Sequence, residues 1–315
     1  MNTILITVLP VFGMIVLGYI FSKFRIIDEA SGKGLSLFVF NVAIPALLFK
    51  TMATLGSQES APWSLWGTYF GGLALTWVIA AFVARNIQSL NFSGGATSSM
   101  AAGFGNLAML GTPLALAHFG QVVAVPLGMI LSIHAPILWF AATLHREFSK
   151  HSSNFSLANT GQELASNLAK NAIVIALIFG TLWRLTGLGL HPIPENMLTM
   201  LSDASVPTAL FALGTSLAAY SLRGAWDGMF ALITLKMIVM PILVFVLGHY
   251  IFHLQTLWLQ IAVLFAAMPT GANAFLFAQR NDEAVPAISG AIAAGTGLAA
   301  ISASVLLYLM DAGYI

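Results

Sequence analysis

Residues 268–275 read MPTGANAF and interrupt an otherwise apolar stretch of the chain. Proline removes a backbone donor and clashes with the preceding helical turn, and glycine makes departures from helical geometry inexpensive. The segment therefore predicts a broken helix, with freed backbone polar groups beside Asn273. A second apolar stretch carries the same kind of interruption, because residues 103–113 read GFGNLAMLGTP.

The composition around these two breaks is that of a membrane protein. Of the 315 residues, 58% are hydrophobic and only 7% charged, with a mean hydropathy of +0.89, whereas about a quarter of residues carry charge in soluble domains. A bilayer core takes about 20 apolar residues per helix, so the length allows about ten spans. The net charge of +1 argues against nucleic-acid binding, and the absence of cysteine excludes disulfides, thiolate nucleophiles and cysteine-based metal sites.

Hydropathy, with Gly, Pro and charge clusters as boundaries, predicts ten membrane spans. Spans 1 to 10 are placed near residues 2–22, 33–54, 64–84, 95–119, 122–144, 171–188, 196–220, 226–251, 256–279 and 285–310. The polar residues 145–170 form a linker between a first repeat at 1–144 and a second repeat at 171–315. Because each repeat has an odd number of spans, the second is expected to be inverted relative to the first.

The distribution of basic residues predicts the orientation of the chain. Nine of the twelve Lys and Arg residues fall in loops on one side of the predicted spans, and such loops are cytoplasmic. The linker is therefore expected in the cytoplasm, and both termini on the outer, periplasmic side of the inner membrane. The nine residues are Lys23, Arg25, Lys33, Arg85, Arg146, Lys150, Lys170, Arg223 and Arg280.

A faint internal repeat supports the division into halves. Residues 41–49 read NVAIPALLF and residues 203–211 read DASVPTALF, at an offset of 162. In both, a polar residue is followed by Pro four positions later and by Phe four positions after that. Broken helices in matching positions of two inverted halves point to a transporter's midplane site. The alternative is that the Gly and Pro residues only produce packing kinks.

These motifs resemble those of bacterial members of the auxin efflux carrier family. The matching residues are GN at 105–106, GTP at 111–113, MPTGANAF at 268–275 and Asn41-x-x-x-Pro45, and the resemblance covers nearly the whole chain. It implies an all-α membrane protein with ten transmembrane helices in two inverted five-helix repeats and crossed broken spans 4 and 9, like the bile acid/sodium symporters. It also implies a scaffold unit from spans 1, 2, 6 and 7, and a transport unit from spans 3–5 and 8–10.

The same resemblance implies small organic anions as substrates, such as malonate- or malate-like carboxylates or auxin-like acids. Because the sequence lacks the long central loop of the plant carriers, auxin itself is not implied. The candidate substrate-binding residues are Asn41, Pro45, Gly105, Asn106, Pro113, Pro269 and Asn273.

Two ionisable residues inside the predicted spans are candidates for a coupling or charge role, since charges are costly in the bilayer. Lys236 pairs with a substrate carboxylate or replaces a coupling ion; the alternative is a structural lysine bound to freed backbone carbonyls. Asp203 is predicted to be either a proton acceptor or a helix-capping residue that water reaches from the outer side of the membrane. Asn106 and Asn273, with half-helix N-termini, form an anion cradle or only satisfy freed backbone groups.

The sequence thus predicts a secondary active carrier that works by alternating access with an elevator-like motion. The alternative is an anion channel or passive membrane facilitator. No enzyme is expected, because the G-x-G-x-x-A match at 103–108 follows no strand. The seven histidines are assigned mostly to interfacial helix ends, with no metal and no cofactor. The expected partners are the anion and membrane lipid; a coupling proton or sodium ion and a homodimer are left open.

Overall fold

The computed structural model describes residues 2–54, 62–86, 92–150, 157–221 and 225–315. Within these ranges the chain is helical apart from loops and one isolated antiparallel β-bridge. The α-helices are α1 (Asn2–Lys23), α2 (Glu29–Phe38), α3 (Ile44–Thr54), α4 (Trp63–Asn86), α5 (Phe92–Gly103), α6 (Thr112–Phe119), α7 (Ala124–Lys150), α8 (Leu157–Lys170), α9 (Ala172–Leu185), α10 (Pro192–Asp203), α11 (Ser205–Leu217), α12 (Trp226–Thr234), α13 (Met240–Val246), α14 (Thr256–Ala266), α15 (Ala272–Asn281) and α16 (Val285–Asp311).

Short irregular helical segments join several of these helices. A 3-10 turn covers Gly120–Val123 directly after α6, and its first residue, Gly120, is the C-cap of α6 with a positive φ of 73°. The π-helical turns are Val39–Ala43, Leu107–Gly111, Leu235–Val239 and Leu247–Ile251. Such turns accommodate an extra residue within an apolar helix and often lie at functional sites.

Seven helical stretches in the described ranges are long and apolar enough to cross a membrane, or eight if one bent pair is counted as a single span. The protein is therefore an all-helical, multi-pass membrane protein. The ten predicted spans are not all found as separate long helices: predicted span 5 and the second part of span 4 lie in one apolar stretch, Leu107–Phe148, and predicted span 6 counts only as part of the bent pair. Span 9, for example, is divided between α14, of 11 residues, and α15, of 10 residues, and each is too short to cross alone.

The predicted linker at 145–170 is only partly a loop. α7 continues to Lys150, and α8 occupies Leu157–Lys170 before the chain bends by 62° into α9. Asn171 caps α9 at this bend, since its Oδ1 accepts a hydrogen bond of 2.9 Å from the Ile173 N–H. The rest of the linker, 151–156, and Arg223 lie outside the described residues.

The chain divides into two compact units, each built from three chain segments. Unit 1 comprises Met1–Pro62, Ala108–Ile133 and Asn167–Ala219. Unit 2 comprises Trp63–Leu107, His134–Ser166 and Tyr220–Ile315.

Two close helix pairs organise unit 1, α1 with α11 and α3 with α9. Glycine allows both approaches, as is common where membrane helices cross. A Cβ on Gly18 of α1 would collide with the Phe211 carbonyl of α11, and a Cβ on Gly180 of α9 would lie 2.8 Å from the Phe49 oxygen of α3. Gly18 and Gly180 are 162 residues apart, and so are Phe49 and Phe211. The two contacts are thus related by the offset found in the sequence.

Unit 2 packs α4 against α5 and α13, and α16 against α12 and α15. One group of polar contacts between its segments involves Glu283, in the turn between α15 and α16. Arg146 of α7 forms an ion pair with Glu283 at 2.7 Å, and the Thr97 hydroxyl of α5 donates to the same carboxylate at 2.7 Å. Both charged side chains are largely buried, at 13% and 19% exposure. One carboxylate thus ties three segments together.

Candidate functional site

The two broken segments meet within unit 2. α5 ends at Gly103 and α14 ends at Ala266, and the residues that follow each helix pair through their backbones. Gly105 and Thr270 form the isolated antiparallel bridge. The Asn106 N–H donates to the Pro269 carbonyl at 2.8 Å, and the Gly271 N–H donates to the Phe104 carbonyl at 2.8 Å. We call residues 104–106 and 269–271 the crossing.

Glycine makes this close backbone approach feasible. A Cβ on Gly271 would lie 3.1 Å from the Gly105 oxygen and 3.1 Å from Cδ1 of Phe104. A Cβ on Gly105 would lie 3.1 Å from Cε and 3.2 Å from Nζ of Lys236. All four distances are shorter than ordinary contacts, so a larger residue at either position would have to displace the backbone or the lysine. Gly105 and Gly271 therefore allow the two segments to approach closely, in addition to interrupting the helices.

Side chains satisfy two carbonyls that the breaks set free. The Thr270 hydroxyl donates to the Ala101 carbonyl at 3.0 Å, and the Lys236 ammonium donates to the Ala266 carbonyl. Ala101 and Ala266 are 165 residues apart, the same separation as between Phe104 and Pro269. Carbonyls in matching positions of the two segments thus receive different donors, one neutral and one charged.

Lys236 is fully buried in the π-helical turn Leu235–Val239. Besides the Ala266 carbonyl, its ammonium lies 3.3 Å from Sδ of Met240, a weak acceptor. This is the backbone contact that the structural interpretation of Lys236 predicts, and it also places a positive charge beside Gly105 of the crossing. A role in binding or coupling stays a prediction.

The two asparagines also lie beside the breaks. Asn106 is 9% exposed and follows Gly105 directly, while Asn273 is half-buried in the first turn of α15. Gly271, at the N-cap of α15, provides no side-chain cap. The first N–H groups of α15 therefore lack the side-chain acceptor that usually occupies this position. Such N–H groups favour an anion.

Four of the predicted site residues belong to unit 1. Asn41 is exposed in the π-helical turn Val39–Ala43, and its Nδ2 donates to the Leu37 carbonyl at 3.0 Å. Pro45 is half-buried at the second position of α3, and Pro113 is buried at the second position of α6. Asp203 is exposed at the end of α10. The roles of these four residues stay predictions.

One polar group beside the crossing differs from the expectation from the sequence. The histidines are expected mostly at interfacial helix ends, but His134 is 3% exposed in the interior of α7. Its ring packs on Phe104 with centroids 4.8 Å apart, and its Nδ1 lies 3.4 Å from the Tyr69 hydroxyl. The sequence does contain one indication that His134 is buried: it is the only ionisable residue between His118 and His145, in the interior of predicted span 5.

Three proteins similar to this chain are named as transporters or carriers. A protein of Rhizobium meliloti (strain 1021) named "Putative malonate transporter" is 28% identical over 97% of this chain and 95% of its own length. An "Uncharacterized transporter" of Methanothermobacter thermautotrophicus is 26% identical over 94% of this chain and 95% of its own. "Auxin efflux carrier component 8" of Arabidopsis thaliana is 23% identical, covering 96% of both chains.

A family model described as "Membrane transport protein" matches residues 3–307, nearly the whole chain. The resemblance to auxin efflux carriers that the motifs indicated is therefore confirmed, and a family of transporters implies a small-molecule substrate. With its apolar helices and this match, the chain belongs to the membrane transport protein family that includes the auxin efflux carriers.

Proposed function

We propose that this protein is a secondary carrier of small organic anions and that the crossing in unit 2 binds the substrate carboxylate. One observation carries the proposal: the buried Lys236 ammonium lies beside Gly105, where two broken helices pair through a single backbone bridge. An ionisable side chain in a membrane span is costly and typical of a functional site. An anion reduces that cost by supplying the opposite charge.

The groups around the crossing match the chemistry of a carboxylate. Lys236 supplies charge, Asn106 and Asn273 supply neutral amide donors, and the start of α15 supplies N–H groups without a side-chain cap. Neutral donors orient an oxygen without adding further charge to the membrane interior. We propose malonate-like dicarboxylates first, because one relative is named for malonate and is similar along nearly its whole length.

We further propose that the chain has ten spans in two inverted repeats, with both termini outside the inner membrane. The paired contacts of Gly18 and Gly180 support the repeat in unit 1, because they are related by the offset of 162 found in the sequence. The excess of basic residues in loops on one side supports the orientation. The chain has no native cysteine, so a single Cys at Gly313 can be labelled in intact cells with an impermeant thiol reagent. Labelling only after permeabilisation would contradict the proposed orientation.

For the transport cycle we propose alternating access, in which a transport unit from spans 3–5 and 8–10 moves along a scaffold from spans 1, 2, 6 and 7. Two cysteines, one on span 2 and one on span 4, provide the test. A crosslink between them should abolish transport and its reduction should restore it. Full activity with the crosslink in place would exclude the motion.

Transport by proteoliposomes tests the binding site. Purified protein is reconstituted, and uptake of radiolabelled malonate is compared for the wild type, Lys236→Met and Lys236→Arg. Removing one partner of a buried charge pair costs about 2 kcal/mol or more, so Lys236→Met should lower kcat/KM at least about 30-fold. Lys236→Arg keeps the charge and should retain more activity than Lys236→Met.

A matched lysine provides the control. Lys50 of unit 1 is half-buried and donates to the Thr199 hydroxyl at 2.7 Å, and Lys50→Met should change kcat/KM less than about twofold. Equal losses in both variants, or none in Lys236→Met, would remove Lys236 from the binding site. Counterflow distinguishes an anion channel, because a carrier accumulates labelled malonate in vesicles that contain unlabelled malonate, whereas a channel does not. Uptake against a malonate concentration gradient distinguishes a secondary active carrier from a passive facilitator.

A further inference from the structure

His134 is a buried imidazole that the proposed carboxylate site does not use. Its Nε2 atom is buried and has no hydrogen-bond partner among the described residues, while its Nδ1 lies 3.4 Å from the Tyr69 hydroxyl. A buried polar atom without a partner costs about 1–3 kcal/mol. In a native protein, such an atom calls for an explanation such as a bound ligand or proton.

Two consecutive residues of the crossing connect this imidazole with the buried ammonium. Phe104 packs on the His134 ring, and the next residue, Gly105, lies against Lys236. Of the described titratable side chains, Tyr69 from α4 and Lys236 from the π-helical turn face His134, and Lys236 is close enough to repel a positive charge there. Neither of these neighbours is a carboxylate, so the described part of the chain provides no counter-charge for a protonated His134.

The balance of charge connects His134 to the substrate. Lys236 alone neutralises one carboxylate. The negative charge of the second carboxylate of a dicarboxylate would have no positive partner, and burying an unpaired charge at low dielectric costs free energy. A protonated His134 would supply the missing positive charge. In the absence of substrate, that same charge would be unpaired and repelled by Lys236. Protonation of His134 and binding of a dianion therefore favour each other.

We propose that His134 takes up one proton when a dicarboxylate binds, so that His134 and Lys236 together neutralise the dianion. The proposal rests on the proposed function of the crossing as a carboxylate site. In the step itself, the Nε2 lone pair accepts a proton from solvent, Nδ1–H donates to the Tyr69 oxygen, and no other bond forms or breaks. The carrier thus moves one proton with each dianion and none with a monoanion.

A pair of substrates of the same shape tests this without any variant. Malonate has two carboxylates, and malonamate replaces one of them by an uncharged amide. KM is measured by counterflow at equal internal and external pH, between about pH 7 and pH 8.5, where malonate is a dianion throughout. If one proton is taken up, KM for malonate should rise by up to about tenfold per pH unit, while KM for malonamate should stay constant.

Variants then assign the proton to His134. In His134→Gln the pH dependence of the malonate KM should disappear, and a pH-sensitive dye inside the vesicles should show no proton entering with malonate. His249→Gln, at an exposed histidine of the same unit, should keep the wild-type behaviour. Tyr69→Phe removes the hydroxyl beside Nδ1 and should displace the midpoint of the pH dependence without abolishing it.

The outcomes separate this inference from the proposed function. A wild-type malonate KM independent of pH, or an unchanged pH dependence in His134→Gln, would overturn the role of His134 while saturable malonate transport still supports the carrier. Absence of saturable transport of both substrates by the wild type would overturn the carrier itself. If His134→Gln does not fold, the wild-type comparison of malonate with malonamate still decides whether a proton is taken up.

Discussion

Replacing Gly18 by Ala should destabilise unit 1, because α1 and α11 approach each other at this residue. The added Cβ would collide with the Phe211 carbonyl oxygen and would lie 3.0 Å from its carbon and 3.2 Å from Cα of Gly214. All three obstructing atoms belong to the backbone, so no side-chain rotation removes the contact. Ordinary contacts are 3.4 Å or more, and the Cβ would lie so far inside this distance from the Phe211 oxygen that the two helices would have to separate locally by about 1 Å or more.

The expected magnitude follows from measured effects of overpacking. Inserting a methyl group into a closely packed interface costs about 1–3 kcal/mol, and rigid obstructing atoms place Gly18→Ala near the upper end. At about 2 °C per kcal/mol for a chain of this size, the melting temperature in detergent should fall by about 4–6 °C. Thermal unfolding followed by size-exclusion fluorescence measures this change.

Gly13 provides a control in the same helix. A Cβ on Gly13 would meet no atom within 4 Å, and Ala in a helix is about 0.5–1 kcal/mol more favourable than Gly. Gly13→Ala should therefore leave the melting temperature unchanged or raise it slightly. Gly180→Ala should resemble Gly18→Ala, because its Cβ would lie 2.7 Å from Cβ of Met52. Equal shifts for Gly13→Ala and Gly18→Ala would show that the close approach of α1 and α11 is wrong.

Two further predictions concern charged groups outside the crossing. Glu283→Gln leaves Arg146 without its largely buried partner and should lower the free energy of unfolding by about 2–4 kcal/mol. Asp282→Asn, at the exposed neighbouring residue, should change the free energy of unfolding by less than about 0.5 kcal/mol. Equal decreases in stability of the two variants, measured by thermal unfolding, would contradict the prediction. Hydrogen bonding to Ser31, first through its side chain and then through its backbone, holds the pKa of Asp28 below its ordinary value of 3.8. The stabilising contribution of Asp28 is therefore complete at neutral pH, and it is lost as the pH falls below 3.8 and through the folded-state pKa. Asp28→Asn keeps a capping side chain but has no carboxylate to protonate. The melting temperature of this variant should therefore fall less at acid pH than that of the wild type.

The helical boundaries were largely predictable from the sequence because lipid imposes a simple rule. A span must be apolar and hydrogen-bonded within itself, so charges and the Gly and Pro clusters mark its ends. Span 3, predicted at 64–84, is observed as Trp63–Asn86, and span 10, predicted at 285–310, is observed as Val285–Asp311. The breaks near Gly105 and Pro269 were predictable for the same reason, since these residue types disfavour continuous helix.

The partners across each break were less accessible to sequence reasoning. Hydropathy indicates that Lys236 is buried, but it does not reveal that the Ala266 carbonyl, 30 residues later, accepts a hydrogen bond from its ammonium. The π-helical turn that carries Lys236 depends on packing, because its residues are apolar and similar to those around it. His134 was missed because a single histidine in an apolar helix gives no periodic signal, and its importance comes from Phe104 and Tyr69 on other helices.

The unequal donors at the Ala101 and Ala266 carbonyls have a consequence for how a guest molecule lies at the crossing. With a hydroxyl at one of these positions and an ammonium at the other, the two broken helices face each other without electrical symmetry, even though their backbones pair reciprocally. If the crossing binds a substrate as proposed, a molecule with an acid group at one end should be held with that end toward the amine. Head-to-tail reversal of the bound molecule would then be unfavourable, and the same end should lead whenever it enters from a given side.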